Sequence, residues 1–181
     1  MANFQFIPEF EGVCVVTPKV HADSRGYFME TYNYKEFSKA GLMTSFVQDN
    51  QSRSRHGVLR GLHFQRKFPQ GKLVRVLEGE IFDVAVDIDN NSNTYGQWFG
   101  INLSSDNQKQ LYIPAGFAHG FLVLSQEAVV SYKCTDYYYP EYEDGILWND
   151  ATLGIKWPLD KVNEVILSEK DKGLKAFSQL K

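Results

Sequence analysis

The stretch KLVRVLEGEIFDVAVDI, residues Lys72–Ile88, decides the fold class. The dipeptide Glu78-Gly79 separates two runs rich in branched apolar residues, which predicts a β-hairpin that turns at this dipeptide. In the second arm an apolar set alternates with a largely acidic set: Phe82, Val84, Val86 and Ile88 against Asp83, Ala85, Asp87 and Asp89. Because successive side chains of a strand point to opposite faces, one face is expected to pack on another sheet.

Short apolar runs separated by turn residues recur along the whole chain, with no internal repeat and no low-complexity linker. Capping residues predict only two short helices, at Asn33–Gly41 and Ser168–Gly173. We therefore predict an all-β sandwich or barrel with a few short helices, formed as one domain over residues 1–181. The predicted strands are Gly12–Pro18, Tyr27–Tyr32, Phe46–Ser52, Leu59–Gln65, Lys72–Leu77, Glu80–Ile88, Trp98–Leu103, Gln110–Ile113, His119–Leu124, Ala128–Thr135 and Ile146–Trp148.

The composition limits the classes of function. The chain has 181 residues, 43% of them hydrophobic, and a net charge of −3, which favours neither nucleic-acid binding nor a membrane surface. The N-terminus has no signal-peptide pattern, and no stretch approaches the length of a membrane span. Cys14 and Cys134 lie far apart in the sequence, so we expect two reduced thiols in a cytoplasmic protein.

His63 is the main candidate for chemistry, within the run Gly57–Gln65, GVLRGLHFQ. On a strand, His63 lies on the face opposite Arg60, Leu62 and Phe64. Leu62 and Phe64 are expected to pack between the sheets of the sandwich. A lone histidine on a strand is usually structural, but the basic and small residues nearby favour a site. If Arg60 and His63 serve one site, a bulge or bend at Gly61 is required.

A second histidine, His119, follows the turn in Pro114-x-Gly116-x-x-His119, which is close to the second motif of cupins. Metal-binding cupins also carry His-x-His and a glutamate in their first motif. The corresponding segment here is His63-Phe64-Gln65, so the ligand set is incomplete and we predict no metal site.

Several other residues have both a structural and a functional interpretation. Tyr132 is either a tyrosine on a sheet surface or a proton donor opposite His63. The run Tyr137–Tyr139 before Pro140 is either an aromatic edge cluster or a stacking platform for a flat ring. Arg25 either lies at the tip of a solvated turn or binds a phosphate. By default, the charged residues near the C-terminus lie on the surface: Glu143, Lys170 and Asp171.

Motifs spread over most of the chain, from about residue 12 to residue 171, resemble those of the dTDP-4-dehydrorhamnose 3,5-epimerase family. That family converts dTDP-4-dehydro-6-deoxy-D-glucose to dTDP-4-dehydro-L-rhamnose without a cofactor or metal, on a cupin-type, jelly-roll β-sandwich that dimerises. The motifs are Asp23-x-Arg25-Gly26-x-Phe28-x-Glu30, Gln48-Asp49-Asn50, Gly57–Gln65, Gln70–Val76, the segment up to Asp87, Tyr95-Gly96, Ile113–Gly120, Trp148–Asp150 and Ser168–Asp171.

The resemblance implies roles for particular residues. His63 would be the general base, Asp171 its orienting partner, Tyr132 the general acid on the opposite face, and Lys72 the group that stabilises the enolate oxygen. Tyr138 would stack on the thymine, although Tyr137 and Tyr139 are alternatives by position. Contacts to the nucleotide sugar are implied for Arg25, Glu30, Gln48, Asn50, Arg60, His119, Glu143 and Lys170.

The implied chemistry makes physical sense. The C3 and C5 protons flank a C4 ketone, so removal of either gives an enolate. Inversion of a carbon needs a base on one face and an acid on the other, and histidine is suited to the base role near neutral pH. The alternatives are an epimerase acting at C3 or C5 only, a ketoisomerase of a related dTDP-deoxysugar, a sugar-binding cupin without activity, and a metal-dependent cupin oxygenase or isomerase.

Overall fold

The computed structural model describes residues 2–42 and 45–180. Strands dominate this part of the chain, and its two α-helices are short, in agreement with the all-β prediction. The strands are β1 Phe4–Pro8, β2 Cys14–Pro18, β3 His21–Asp23, β4 Gly26–Phe28, β5 Gln48–Arg55, β6 Leu59–Gln65, β7 Lys72–Glu78, β8 Glu80–Asp87, β9 Trp98–Ser104, β10 Gln110–Ile113, β11 Phe117–Val123, β12 Glu127–Cys134 and β13 Glu143–Gly145, and the helices are α1 Tyr34–Lys39 and α2 Glu169–Lys172.

Two antiparallel sheets form a jelly-roll sandwich, which confirms the predicted cupin-type architecture. The six-stranded sheet has the order β1-β2-β10-β7-β12-β5, and the five-stranded sheet has the order β13-β6-β11-β8-β9. Strands β3 and β4 pair with each other in a separate small hairpin. β5 lies at one edge of the first sheet and β13-β6 at an edge of the second, so these edges can border an opening between the sheets.

The predicted hairpin over Lys72–Ile88 is wrong. The chain does turn at Glu78-Gly79, but β7 pairs with β10 and β12 in one sheet, whereas β8 pairs with β9 and β11 in the other. Gly79 has φ +81°, and a Cβ there would lie 2.1 Å from the carbonyl oxygen of Glu127. The glycine therefore allows the chain to cross from one sheet to the other. The turn residues alone do not show with which strands β7 and β8 pair.

Three apolar clusters hold the layers together. The first fills the space between the sheets, with Val74 and Val130 from one sheet and Ile81 and Phe121 from the other. The second covers the outer face of the five-stranded sheet with C-terminal residues, and the third packs α1 against the outer face of the six-stranded sheet. Typical members are Leu59, Val84, Trp157 and Phe177 in the second cluster and Phe4, Val16, Phe37 and Leu73 in the third.

The second cluster corrects the placement of Leu62 and Phe64. Both belong to this outer cluster and not to the core between the sheets. The C-terminal segment, including Trp157 and Phe177, supplies the apolar cover that makes an outward-facing leucine and phenylalanine stable there. His63, on the opposite face of β6, consequently points into the interior of the sandwich.

Strand β8 is buried on both faces. Val84 and Val86 lie in the outer cluster, while Asp83 on the other face is fully buried. Packing of one face was predicted correctly, but the acidic face is turned inward and not toward solvent. A buried carboxylate needs a partner, and this requirement leads to the pocket described below.

Some element boundaries differ from the prediction. The strand predicted at Tyr27–Tyr32 ends at Phe28. The strand predicted at Ile146–Trp148 lies instead at Glu143–Gly145, and Ile146 forms only an isolated bridge. The chain turns after it because Asp150 Oδ1 accepts hydrogen bonds from the backbone N–H groups of Thr152 and Leu153. Both predicted helices are present, with Asn33 and Ser168 as their N-caps.

No helix in the described ranges is long and apolar enough to cross a membrane.

Candidate functional site

A cavity of about 460 Å³ opens between the two sheets. Strands β5, β7 and β12 form one wall, and β6 and β11 form the other, so side chains from opposite sheets face each other across it. Nine of the sequence-derived candidates line this cavity: Gln48, Asn50, Arg60, His63, Lys72, His119, Tyr132, Tyr138 and Glu143.

Arg60 and His63 share the cavity because β6 is irregular. His119 of β11 pairs with His63, and Phe121 pairs with Arg60, so three steps on β6 match two steps on β11. This extra residue is the bulge or bend that the sequence required at Gly61. Gly61 has φ +116°, and a Cβ there would lie 2.5 Å from Gly120 Cα. Only glycine allows the two strands to approach so closely.

The imidazole of His63 is held from behind by Asp171. The distance between His63 Nε2 and Asp171 Oδ1 is 2.5 Å. Asp171 is buried at the start of α2, where its backbone N–H donates to the Ser168 hydroxyl. The tautomer in which Nε2 donates to Asp171 leaves Nδ1 free to accept a proton in the cavity.

Asp171 is ionised despite its burial. Burial by itself would raise its pKa, but the hydrogen bond and charge of His63, together with hydrogen bonds from Ser168 and the Gly61 backbone, lower the pKa below its usual value. A permanently charged carboxylate can stabilise an imidazolium formed when His63 takes a proton. The default surface interpretation of Asp171 is therefore wrong.

Tyr132 and Lys72 lie on the opposite wall. Burial raises the pKa of Tyr132, so the phenol keeps its proton, while the positive charge of Arg60 opposes this shift. Burial lowers the pKa of Lys72, and the negative charges of Asp83 and Glu143 oppose that shift. The wall facing His63 therefore carries the neutral hydroxyl of Tyr132, which can donate a proton, and the amine of Lys72, whose pKa is lowered.

Behind the cavity, His119 Nε2 lies 2.7 Å from Asp83 Oδ1. Asp83 is fully buried, and its inward position explains the acidic alternation in β8. The sequence interpretation missed Asp83 as part of the site. The alternation itself was the available signal, because an aspartate on a strand buried on both faces needs a hydrogen-bonding partner.

At the mouth of the cavity, Glu143 connects two other candidates. Its Oε2 accepts hydrogen bonds from the Tyr138 hydroxyl, at 2.5 Å, and from Lys170 Nζ. Burial opposes ionisation of Glu143, but these two bonds outweigh it and lower the pKa. The bond to Glu143 raises the pKa of Tyr138 to about 12. Lys170 therefore belongs to the rim of the site through Glu143.

Among the three consecutive tyrosines, Tyr138 is the one that lines the cavity. Its backbone N–H donates to Gln48 Oε1 at 3.0 Å. Tyr139 packs against the ring of Phe68 at a centroid distance of 4.9 Å, and Tyr137 is exposed. Of the three tyrosines that the sequence left as alternatives, Tyr138 is therefore the one that faces the cavity.

Arg25 and Glu30 are not brought to this cavity. Arg25 lies in the β3–β4 turn, where its guanidinium pairs with Asp23 at 2.6 Å and its side chain is 88% exposed. Glu30 accepts a hydrogen bond of 2.7 Å from Asn3 Nδ2. Within one chain, these two candidates are therefore separate from the other eleven.

Some residues that the sequence interpretation did not select also line the cavity. Gln65 is one of them, and it holds the tyrosine segment by accepting from the Tyr139 N–H and donating to the carbonyl oxygen of Phe68. Its position two residues after His63, on the same face of β6, was the available signal. The other additional lining residues include Ser52, Gln70 and Phe121.

Among residues 2–42 and 45–180, no group of three or more histidine, cysteine or acidic side chains is placed to hold a metal ion. The absence of a metal requirement stays a prediction, to be tested with chelator.

The fold and the pocket together define a class of protein. It is a jelly-roll sandwich in which a histidine paired with a carboxylate on one sheet faces a tyrosine and a lysine on the other, an arrangement that is able to transfer protons. The family model described as dTDP-4-dehydrorhamnose 3,5-epimerase matches residues 8–179. The chain belongs to this family.

Similar proteins agree over nearly the full length. A dTDP-4-dehydrorhamnose 3,5-epimerase from Methanothermobacter thermautotrophicus is 57% identical over 180 residues, covering 99% of this chain and 97% of that protein. One from Pseudomonas aeruginosa is 54% identical over 167 residues, covering 92% and 91%. The crystal structure of dTDP-6-deoxy-D-glucose-3,5-epimerase from Legionella pneumophila, in complex with dTDP-4-keto-L-rhamnose, matches with a TM-score of 0.94 and 48% identity, covering 98% and 95%.

Proposed function

We propose that this protein epimerises dTDP-4-dehydro-6-deoxy-D-glucose at C3 and C5 to give dTDP-4-dehydro-L-rhamnose. The observation that carries the proposal is the His63–Asp171 pair, which faces Tyr132 and Lys72 across the cavity. This arrangement supports the proposal, because a sugar ring bound between the two walls would have a base on one side and an acid on the other. The protein is accordingly an isomerase.

In the first step, His63 Nδ1 takes the proton from a carbon next to the C4 ketone. The electrons of the broken C–H bond form a carbon–carbon double bond, and the carbonyl electrons move to the C4 oxygen. Lys72 donates a hydrogen bond to this enolate oxygen and stabilises the developing charge. Asp171 stabilises the imidazolium, much as the buried aspartate of a serine protease does.

In the second step, the Tyr132 hydroxyl gives its proton to the opposite face of the same carbon. The enolate electrons form the new C–H bond, and the C4 ketone is restored. The imidazolium then loses its proton and the tyrosinate gains one, so no net proton or electron is consumed. The same sequence at the second carbon completes the double epimerisation.

The remaining cavity residues are proposed to hold the nucleotide sugar. Tyr138 would stack on the thymine, since it is the tyrosine of the run that reaches the cavity. The polar side chains along the walls and rim would bind the rest of the substrate: Gln48, Asn50, Arg60, His119, Glu143 and Lys170.

We also propose that the enzyme is a homodimer. The β3–β4 hairpin exposes two adjacent aromatic side chains, Tyr27 at 60% and Phe28 at 68%. Exposed aromatic residues on a projecting hairpin favour an interface between subunits. If Arg25 and Glu30 contact substrate as the resemblance implies, they would do so in the cavity of the partner subunit.

A cytoplasmic location is the remaining part of the proposal. Cys14 and Cys134 are free and buried. Two unpaired thiols fit a reducing compartment.

The proposed reaction is tested by deuterium uptake from D2O into the keto-sugar, followed by NMR. We expect exchange at both C3 and C5 together with formation of the rhamno-configured product. Exchange at only one carbon would identify a single-site epimerase, and a moved carbonyl would identify a ketoisomerase. No exchange at either carbon would contradict the proposal.

A further inference from the structure

The segment that carries Tyr138 crosses the mouth of the cavity from one sheet to the other. The chain leaves the six-stranded sheet at the end of β12, Cys134, and enters the five-stranded sheet at the start of β13, Glu143. Residues 135–139, which follow β12, form neither helix nor strand. Glu143 holds the hydroxyl end of the Tyr138 ring. The position of the ring therefore also depends on the side chains that hold the backbone of residues 135–139.

Two glutamines, one from each sheet, hold the backbone of neighbouring tyrosines. Gln48 of β5 accepts a hydrogen bond from the Tyr138 N–H at 3.0 Å. Gln65 of β6 accepts one from the Tyr139 N–H at 2.7 Å. Because consecutive N–H groups donate to opposite sheets, the tyrosine segment is fixed from both sides of the cavity mouth.

The side-chain amide of Gln65 has no donor left for a ligand. Its Nε2 donates to the carbonyl oxygen of Phe68 at 2.7 Å and to that of Tyr137 at 3.2 Å, while its Oε1 accepts from Tyr139. A primary amide has two N–H donors, and both are used within the protein. The opposite orientation of the amide is excluded, because it would place Oε1 against two carbonyl oxygens. Gln65 is buried, so it acts on a ligand through the tyrosine segment.

Strand β6 connects this segment to the histidine of the site. Gln65 and His63 lie two residues apart on the same face of β6, about 7 Å along the strand. β6 is paired on both sides, with β13 and β11, which makes it a rigid support. One strand therefore fixes both the His63 imidazole and the segment that carries the Tyr138 ring. Such a common support sets where a bound nucleotide sugar lies along the cavity.

We propose that Gln65 is a positioning residue for recognition of the nucleobase, which holds the Tyr138 ring at a fixed distance from His63. This inference rests on the proposed function, because Tyr138 receives a thymine only if the substrate is a dTDP-sugar. Gln65 belongs to the motif Gly57–Gln65, but the resemblance implied no role for it.

The test is a double-mutant cycle in which dTDP binding is measured by titration calorimetry. Gln65→Met keeps the length of the side chain and removes all three hydrogen bonds. We expect it to raise the dissociation constant for dTDP about tenfold, the size typical for loss of an aromatic stack on a base. In a Tyr138→Ala background the same substitution should change the dissociation constant less than twofold, because the ring that Gln65 positions is absent.

A second variant and a control complete the experiment. Gln65→Asn keeps the amide but is one methylene shorter, and it should weaken dTDP binding in the same background-dependent way if Gln65→Met does not fold. The matched control is Gln179→Met, because Gln179 Oε1 also accepts a backbone N–H, from Ala176 at 3.1 Å, but lies outside the cavity lining. Gln179→Met should leave the affinity for dTDP unchanged.

Two results would overturn the inference. One is a dTDP dissociation constant for the Gln65 variants within twofold of the wild-type value. The other is an equal rise with and without Tyr138, which would show that Gln65 supports the fold in general and not the ring. Binding of dTDP requires no turnover, so a failure of the epimerase proposal, seen as absent deuterium exchange by the wild-type protein, is distinguishable.

Discussion

At the scale of single residues, His63 acquires its role from a side chain 108 positions later in the chain. Asp171 fixes which nitrogen of His63 faces the cavity. The motifs that resemble the family implied this pair, but strand alternation alone could not, because it carries no information about contacts between distant segments. For Asp83 the alternation in β8 was a signal, but its meaning depends on the burial of both faces of the strand, which the sequence of β8 alone does not show.

Replacement of Tyr132 by phenylalanine separates the two proton transfers. His63 remains able to remove and return a proton on its own face, while delivery to the opposite face is lost. We expect product formation to fall by at least about 100-fold, the usual contribution of a general acid. Deuterium should still enter recovered substrate, as measured by NMR in D2O.

The control is Tyr112→Phe, since Tyr112 is buried in the third cluster outside the cavity. It should keep wild-type rates. Product formation by Tyr132→Phe at a wild-type rate would contradict the acid assignment.

The charge of Asp171 predicts a dependence of stability on pH. Its pKa is lowered in the folded protein, so the unfolded chain binds the proton more tightly. The stabilisation is complete above the unfolded-state pKa of about 3.9 and is lost as pH falls through the lower folded-state pKa. Asp171→Asn should therefore show a shallower loss of unfolding free energy in acid, measured by urea titration at several pH values. Parallel pH curves for the two proteins would disprove this.

At the scale of elements, the bulge in β6 shows what the sequence could and could not provide. Strict alternation placed Arg60 and His63 on opposite faces, and the demand for a common site predicted an irregularity at Gly61, which the register confirms. The partner sheets of β7 and β8 were not predictable from their own residues. A turn dipeptide looks the same whether the next strand pairs locally or crosses to another sheet.

Gly61→Ala tests how strictly the bulge depends on glycine. The added Cβ would meet Gly120 Cα at 2.5 Å and the His119 carbonyl oxygen at 2.6 Å, with φ at +116°. We expect a loss of about 2 kcal/mol or more in unfolding free energy. We also expect the catalytic rate to fall, because β6 and β11 both carry cavity residues. Chemical denaturation and initial rates measure the two effects.

Gly116→Ala is the matched control, since Gly116 also has positive φ, at +93°, but its Cβ would meet no atom closer than 4.0 Å. The loss of unfolding free energy in Gly116→Ala should be smaller than that in Gly61→Ala. Equal costs would mean that the close approach of the strands contributes nothing.

At the scale of the whole molecule, each of the two sheets supplies one side of the proposed chemistry. His63 comes from the five-stranded sheet and Tyr132 and Lys72 from the six-stranded sheet. The all-β class was predictable from the recurring apolar runs. The packing of the C-terminal segment on the outer face of the five-stranded sheet was not, because that segment has no regular periodicity. One domain over residues 1–181 stays a prediction.

The proposed dimer predicts a sedimentation mass of two chains. Phe28→Asp, in the exposed β3–β4 hairpin, should shift the mass toward one chain, because a buried charge weakens an apolar interface. Leu159→Asp, at an exposed apolar residue elsewhere, should leave the mass unchanged. A single-chain mass for the wild-type protein would contradict the dimer.

We propose above all that His63, oriented by Asp171, removes the protons next to the ketone without a metal. The most direct measurement is deuterium exchange at C3 and C5 of the keto-sugar in D2O with chelator present, for the wild-type protein and His63→Ala. We predict full exchange and product formation by the wild-type protein, and loss of both by His63→Ala. Retained exchange in His63→Ala, or exchange that stops when chelator is added to the wild-type protein, would contradict it.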